Sequence, residues 1–149
     1  MKTIAIIPIS AVAVAVIGIL IGLAYQAEPE KEFSLVYRKE GGIAGISESI
    51  IIDSSEKTLI KTTAQGQTEI HLDESQISLL LDTINEAELL SMGPLVYPPA
   101  EGWADYFTYT LRVKSGDVES NITWTDTNDI PEYLVLISQQ IEEIIAMSS

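Results

Sequence analysis

The sequence predicts an α+β domain in which two amphipathic helices cover one face of an antiparallel sheet of about four to five strands. Three observations lead to this class. Several short segments alternate apolar and polar residues, two longer segments carry apolar residues at helical spacing, and short turns join the strands. The predicted order is β-β-β-α-β-β-α, preceded by one N-terminal transmembrane helix.

The N-terminal segment is hydrophobic over residues 4–23, and no charged residue lies between Lys2 and Glu28. About 20 helical residues rise about 30 Å, which matches the hydrocarbon core of a bilayer. Lys2 before the segment and acidic residues after it predict a cytoplasmic N-terminus and an extracytoplasmic domain. Residues 22–24 also fit a signal-peptidase site, so cleavage, which would give a secreted protein, is the alternative.

We therefore expect an anchor or signal sequence in residues 1–27, a linker in residues 28–32 and one α+β domain in residues 33–149. The chain has 22 Asp and Glu against 8 Lys and Arg, a net charge of −14. Such a surface repels nucleic-acid phosphates and anionic lipid head groups, so we predict no nucleic-acid partner and assign membrane contact to residues 4–23 alone. The chain has no Cys, so its core must form without disulfides.

The first half of the domain alternates as strands over residues 33–39, 48–53 and 58–63, and the chain extends again over residues 68–72. Asp73, with Gln76 three residues later, predicts the capped start of a helix that reaches the region of Glu88 to Met92.

The second half begins with a loop over residues 93–102 that is rich in Gly and Pro. Residues 106–114 and 118–124 then alternate on either side of a Ser-Gly-Asp turn, which predicts a hairpin. Pro131 favours the start of a last helix that runs to about residue 145.

Catalytic and metal-binding patterns are not found in the sequence. The single His71 lies in a predicted strand, no Cys is present, and residues 45–49 depart from a nucleophile elbow because Ser49 stands at its last position. Residues 126–131 depart from a calcium loop because Pro131 replaces the required Gly. We predict no enzyme activity, no metal and no cofactor. Asn121 begins an Asn-Ile-Thr glycosylation pattern.

The unusual feature is a loop that we name the glycine loop. Its residues are Gly41, Gly42, Ile43, Ala44, Gly45 and Ile46. A plain hairpin turn needs one or two Gly, and this loop has three, with two aliphatic Ile among them. From composition alone, the simpler interpretation is a wide turn whose Ile side chains fold back onto the core. The alternative is a partner-binding loop, because Gly allows close backbone approach and an exposed Ile is stabilised when a partner covers it.

A second cluster contains Trp103, Asp105 and Tyr106, directly after the Pro-rich loop. Trp103 is a candidate interface anchor, since Trp is enriched among residues that carry binding energy. It is equally a candidate lid of the core.

The domain resembles the emfourin family, small proteins that inhibit thermolysin-like (protealysin-type) metalloproteases. The resemblance rests on Tyr37-Arg38 leading into the Gly-Gly-Ile-Ala-Gly-Ile run, on a middle helix followed by a Pro-rich loop, on the Asp-Tyr-Phe-Thr-Tyr-Thr-Leu run of residues 105–111, and on the closing helix. It extends over about residues 33–146. This chain departs from the family in its N-terminal hydrophobic segment and in additional residues over positions 54–67.

The resemblance implies an inhibitor that occludes the active-site cleft of a thermolysin-like metalloprotease, with the glycine loop as the contact. Clefts of this class favour bulky aliphatic side chains beside the scissile bond, which Ile43 or Ile46 would supply. The cluster at Trp103 would add a secondary contact. The alternative function is a non-inhibitory extracytoplasmic protein-interaction or sensor domain that binds through its acidic surface or its open sheet face.

Overall fold

The computed structural model describes residues 31–147, which fold into seven strands and two α-helices. The strands are β1 (Ser34–Gly41), β2 (Ile46–Asp53), β3 (Thr58–Thr63), β4 (Gly66–His71), β5 (Leu95–Val96), β6 (Phe107–Ser115) and β7 (Val118–Thr125). The helices are α1 (Glu74–Glu86) and α2 (Glu132–Met147), with a short 3₁₀ helix at Leu89–Ser91.

The strands form one sheet in the order β4-β3-β2-β1-β6-β7-β5, antiparallel except for β5 beside β7. The predicted α+β class is confirmed, but the predicted count of four to five strands is wrong, and so is the order β-β-β-α-β-β-α. The segment that contains Ile70 pairs along β3 as a full strand. Leu95 and Val96 add a two-residue strand beside β7 within a loop whose Gly and Pro residues had indicated irregular structure.

One face of the sheet forms the core with the two helices. In the central row, Leu35 of β1 lies opposite Ile52 of β2 and Val113 of β6, and all three side chains are almost fully buried. The helices cover this face with three buried residues of α1 and four of α2: Ile77, Leu80, Ile84, Leu134, Ile137, Ile141 and Ile144. Burying each such side chain stabilises the fold by about 1.5–3 kcal/mol, which explains why the helices pack here.

The opposite face of the sheet is open, as the alternation predicts, but it is not uniformly polar. Val36, Ile51 and Ile60 lie side by side across β1, β2 and β3. Ile51 remains 43 % exposed. A short apolar row therefore crosses a surface that is otherwise mostly polar.

Helix α1 starts with the capping box that the sequence predicts. The Asp73 carboxylate accepts from the backbone N–H of Gln76 at 2.9 Å, and the Gln76 side chain accepts from the Asp73 N–H at 2.9 Å. The Ser75 hydroxyl also donates to the same carboxylate at 2.6 Å. These hydrogen bonds, with that of Ser75 the largest cause, hold the pKa of Asp73 below its ordinary value.

The lowered pKa of Asp73 predicts an acid-dependent loss of stability. The ionised carboxylate stabilises the fold above the pKa of the unfolded chain, and this contribution disappears as pH falls through the lower folded-state pKa. We expect Asp73→Asn to lower Tm at about pH 6 and the difference from wild type to shrink progressively as pH falls below about 4, the ordinary pKa of Asp. Thermal unfolding across this range measures the effect. Asp82→Asn, an exposed carboxylate further along α1, controls for the loss of one charge, and an equal pH dependence in both variants would contradict the prediction.

Among residues 31–147, no helix is long and apolar enough to cross a bilayer. The predicted anchor at residues 4–23 lies outside the described residues. The described chain from Glu32 onward belongs to one structural unit.

Candidate functional site

The glycine loop closes the hairpin between β1 and β2. The two strands pair as far as Gly41 and Ile46, which leaves four residues for the turn. The N–H of Gly45 donates to the carbonyl of Gly42 at 2.9 Å, which closes a β-turn with Ile43 and Ala44 at its two central positions. The turn thus presents Ile43 at the outermost point of the hairpin.

Gly41 and Gly42 lie against the first residues of β6. The N–H of Gly42 donates to the carbonyl of Tyr106 at 3.1 Å. A Cβ atom at Gly41 would lie 2.4 Å from that carbonyl oxygen, and one at Gly42 would lie 2.8 Å from the Phe107 ring. Their φ angles are +122° and +71°, values that side chains disfavour. The two Gly residues are therefore required both by backbone conformation and by close packing.

The Phe107 side chain packs against the glycine loop, and two contacts hold Phe107 in this position. Its ring lies under Gly42, and the Lys39 ammonium lies 4.6 Å from the ring centroid. The Asp126 carboxylate accepts from the Phe107 N–H at 3.0 Å. A cation–π contact and a hydrogen bond from a backbone N–H to a carboxylate thus link Phe107 to β1 and to the residue that follows β7. The hairpin is braced rather than free-standing.

The side chains of the loop differ sharply in exposure. Ile43 is 92 % exposed and Ile46 is 44 % exposed. The expectation that both Ile side chains fold back onto the core is wrong for Ile43, because the turn directs it away from the sheet. An aliphatic side chain this exposed gains the favourable free energy of burial only when a partner covers it.

The structure brings only part of the second cluster to the loop. Tyr106 lies at the base of the hairpin, where its carbonyl accepts from Gly42, and its side chain is half-buried. Trp103 is 61 % exposed and Asp105 is exposed, both in the connection that precedes β6. Trp103 is therefore not a lid of the core, and its role as a secondary contact stays a prediction.

Three supporting residues were not singled out as site residues from the sequence: Lys39, Phe107 and Asp126. Phe107 belongs to the alternating set of β6, so its facing side was predictable. Its contact with Gly42 depends on the pairing of β1 with β6, which are more than sixty residues apart in sequence, and no local pattern indicates that register.

Asn121, the candidate glycosylation residue, lies in the middle of β7 on the open face of the sheet, opposite Arg112 of β6. Its side-chain oxygen is buried and makes no hydrogen bond within the described residues. Glycosylated Asn residues are expected in surface loops, and this position differs from that pattern. Glycosylation at Asn121 stays a prediction.

The described residues contain no group of three or more His, Asp or Glu side chains arranged to hold a metal ion. No protein-family model matches the sequence, and a comparison with curated proteins finds no match. The function of the glycine loop is therefore inferred from its physical properties. They are a convex shape, a rigid backbone and an aliphatic tip, which suit insertion into a concave surface of another protein.

Proposed function

We propose that the domain inhibits a thermolysin-like zinc metalloprotease by inserting the glycine loop into the active-site cleft. The observation that carries this proposal is the 92 % exposure of Ile43 at the tip of a braced hairpin. A bulky aliphatic side chain fits the apolar pocket that this protease class places beside the scissile bond. The sequence resemblance to emfourins supports the choice of protease class.

The rigidity of the loop supports inhibition rather than loose association. A flexible loop loses conformational entropy when it binds, whereas a loop already held in its bound shape loses little. Here the turn hydrogen bond at Gly45, the contact of Gly42 with Phe107 and the Lys39 contact fix the shape before binding. A rigid loop is also a poor substrate, because a protease must distort the backbone around the bond that it cleaves.

In this proposal, residues 4–23 determine where the inhibitor domain is located. Retained as an anchor, they tether the domain to the outer side of a membrane, and cleaved after residue 24 they release a secreted inhibitor. Both outcomes place the glycine loop where exported proteases act.

Titration of a thermolysin-like protease with the full chain tests the proposal. The chain, kept soluble in a neutral detergent, is mixed with a fixed concentration of protease, and hydrolysis of a chromogenic peptide is followed. We expect activity to fall linearly to near zero at one chain per protease. Subtilisin serves as the control protease and should keep its activity. Full thermolysin-like activity at a micromolar excess of the chain, or cleavage of the glycine loop at a substrate-like rate, would contradict inhibition.

A non-inhibitory binding domain is the second candidate, and the apolar row of Val36, Ile51 and Ile60 favours it. These residues offer a partner an apolar strip on the open sheet face, away from the helices. If the titration leaves the protease active, this face becomes the surface to examine, with Ile51, at 43 % exposure, as the first residue to replace.

A further inference from the structure

A cleft of about 220 Å³ lies between α2 and the sheet, separate from the tip of the glycine loop. Its floor is formed by Tyr37, Tyr109 and Trp124, which occupy neighbouring positions on β1, β6 and β7. The Tyr109 and Trp124 rings are stacked, with centroids 5.5 Å apart and planes 10° from parallel. The Tyr37 ring lies 6.2 Å from each of them.

Two carboxylates supply negative charge at the sides of the cleft. Glu142 borders it from α2, and Asp126 borders it from the connection that follows β7. No Lys, Arg or His lines the cleft, and within residues 31–147 neither carboxylate has an ion-pair partner. Burial raises the pKa of Tyr37 to about 12, so its hydroxyl stays neutral at the floor.

Glu142 also borders an adjacent depression that is lined by Lys39 and Lys61, but within residues 31–147 neither lysine forms an ion pair with it. Lys61 pairs with Glu48 at 2.6 Å in that depression. Lys39 borders the same depression and directs its ammonium over Phe107 and Tyr109, at 4.6 and 5.6 Å from the ring centroids. One ring of the cleft floor, that of Tyr109, therefore lies within cation–π distance of an ammonium group that comes from outside the cleft.

We propose that this cleft binds an alkylammonium cation, either free or at the end of a lysine side chain of another protein. Of the three floor rings only Tyr109 is partly exposed, and cations are attracted to the electron-rich face of an aromatic ring. The two exposed carboxylates, which have no ion-pair partner within residues 31–147, add direct charge attraction. The net charge of −14 raises the local concentration of cations around the whole chain. The volume suits one small group, since sites for drug-sized ligands run to roughly 300–1,000 Å³.

Trp124 makes the cleft observable by fluorescence. It is 2 % exposed and lies at the floor, whereas Trp103 is 61 % exposed and would mask its signal. In the full chain carrying Trp103→Phe, emission then reports on Trp124 alone. Choline and butylammonium are titrated as free amines, and dimethylbutanol serves as the neutral counterpart of choline. A tripeptide with a central Lys, blocked at both ends, is compared with its norleucine analogue.

We expect saturable changes with choline or butylammonium in the submillimolar to millimolar range and at least about tenfold weaker binding of dimethylbutanol. Saturation by the lysine peptide alone would identify a protein as the source of the cation, and saturation by the free amines alone would identify a small molecule.

Glu142→Gln provides the test by substitution, with Glu143→Gln as the matched control. Both residues are exposed and adjacent on α2, but only Glu142 borders the cleft. We expect about fivefold or greater weakening in Glu142→Gln and no change in Glu143→Gln. Equal binding of choline and dimethylbutanol, equal affinities of the two variants, or no saturation by any cation would overturn the proposal.

Discussion

Replacing Ile43 with Asp is expected to weaken inhibition of a thermolysin-like protease by about 100-fold or more. Burial of one Ile side chain contributes about 1.5–3 kcal/mol, and each 1.4 kcal/mol is a factor of about ten in affinity. Asp removes this contribution and adds a charge that an apolar pocket would have to desolvate. The inhibition constant of the full chain, measured against the same protease and substrate, gives the effect.

Ile43→Asp is expected to change binding without changing stability, because the Ile43 side chain contributes almost nothing to the core. With its side chain 92 % exposed, we expect the free energy of unfolding of Ile43→Asp to stay within about 0.5 kcal/mol of wild type. Val118→Asp is the matched control, since Val118 is 50 % exposed at the β6–β7 hairpin. That hairpin lies at the opposite end of the sheet, where the start of β1 pairs with the end of β6.

Ile43→Leu should retain most of the potency, because it keeps an aliphatic side chain of the same size. Unchanged potency of Ile43→Asp would show that inhibition, if present, uses another surface. Equal losses in Ile43→Asp and Val118→Asp would point to a general effect of added negative charge on an already acidic protein.

The sequence predicted the parts of the fold that depend on local chemistry. The capping box at Asp73 and the Pro131 start of α2 follow from hydrogen bonding within one helical turn, and both are confirmed. The alternation over residues 33–39 puts Leu35 and Tyr37 on the same face of β1, and both side chains are buried. The strand count was wrong because a two-residue strand such as Leu95–Val96 forms only through its neighbour β7, which no local pattern encodes.

The site was predicted to a similar extent. Three Gly residues among six mark the loop as special, and that signal is present in the sequence alone. The direction of the Ile43 side chain cannot be predicted from the sequence, because it depends on which positions of the turn the three Gly residues occupy. The brace from Phe107 likewise depends on long-range register between β1 and β6. Sequence reasoning therefore located the loop without its orientation or its support.

Gly41→Ala is expected to destabilise the fold by about 3 kcal/mol, the largest effect on stability that we predict for a substitution in the loop. Its φ of +122° is a conformation that side chains rarely adopt, which costs about 1–3 kcal/mol. The new Cβ would also lie 2.4 Å from the Tyr106 carbonyl oxygen, a backbone atom that cannot rotate away. Relieving this overlap must separate β1 from β6 at their junction, which adds strain of about 1–3 kcal/mol.

Gly45→Ala is the reference variant, because it has only the milder strain of the left-handed region and no overlap. Gly45 has a φ of +61°, and a Cβ atom there would have no neighbour within 4 Å. We expect a loss of only about 1 kcal/mol. Urea unfolding of the full chain, followed by the fluorescence of buried Trp124, compares the variants. Equal stability of Gly41→Ala and Gly45→Ala would show that the contact with Tyr106 does not hold the hairpin. A selective loss in Gly41→Ala, together with weaker inhibition than in Gly45→Ala, would show that the loop depends on this contact for its shape.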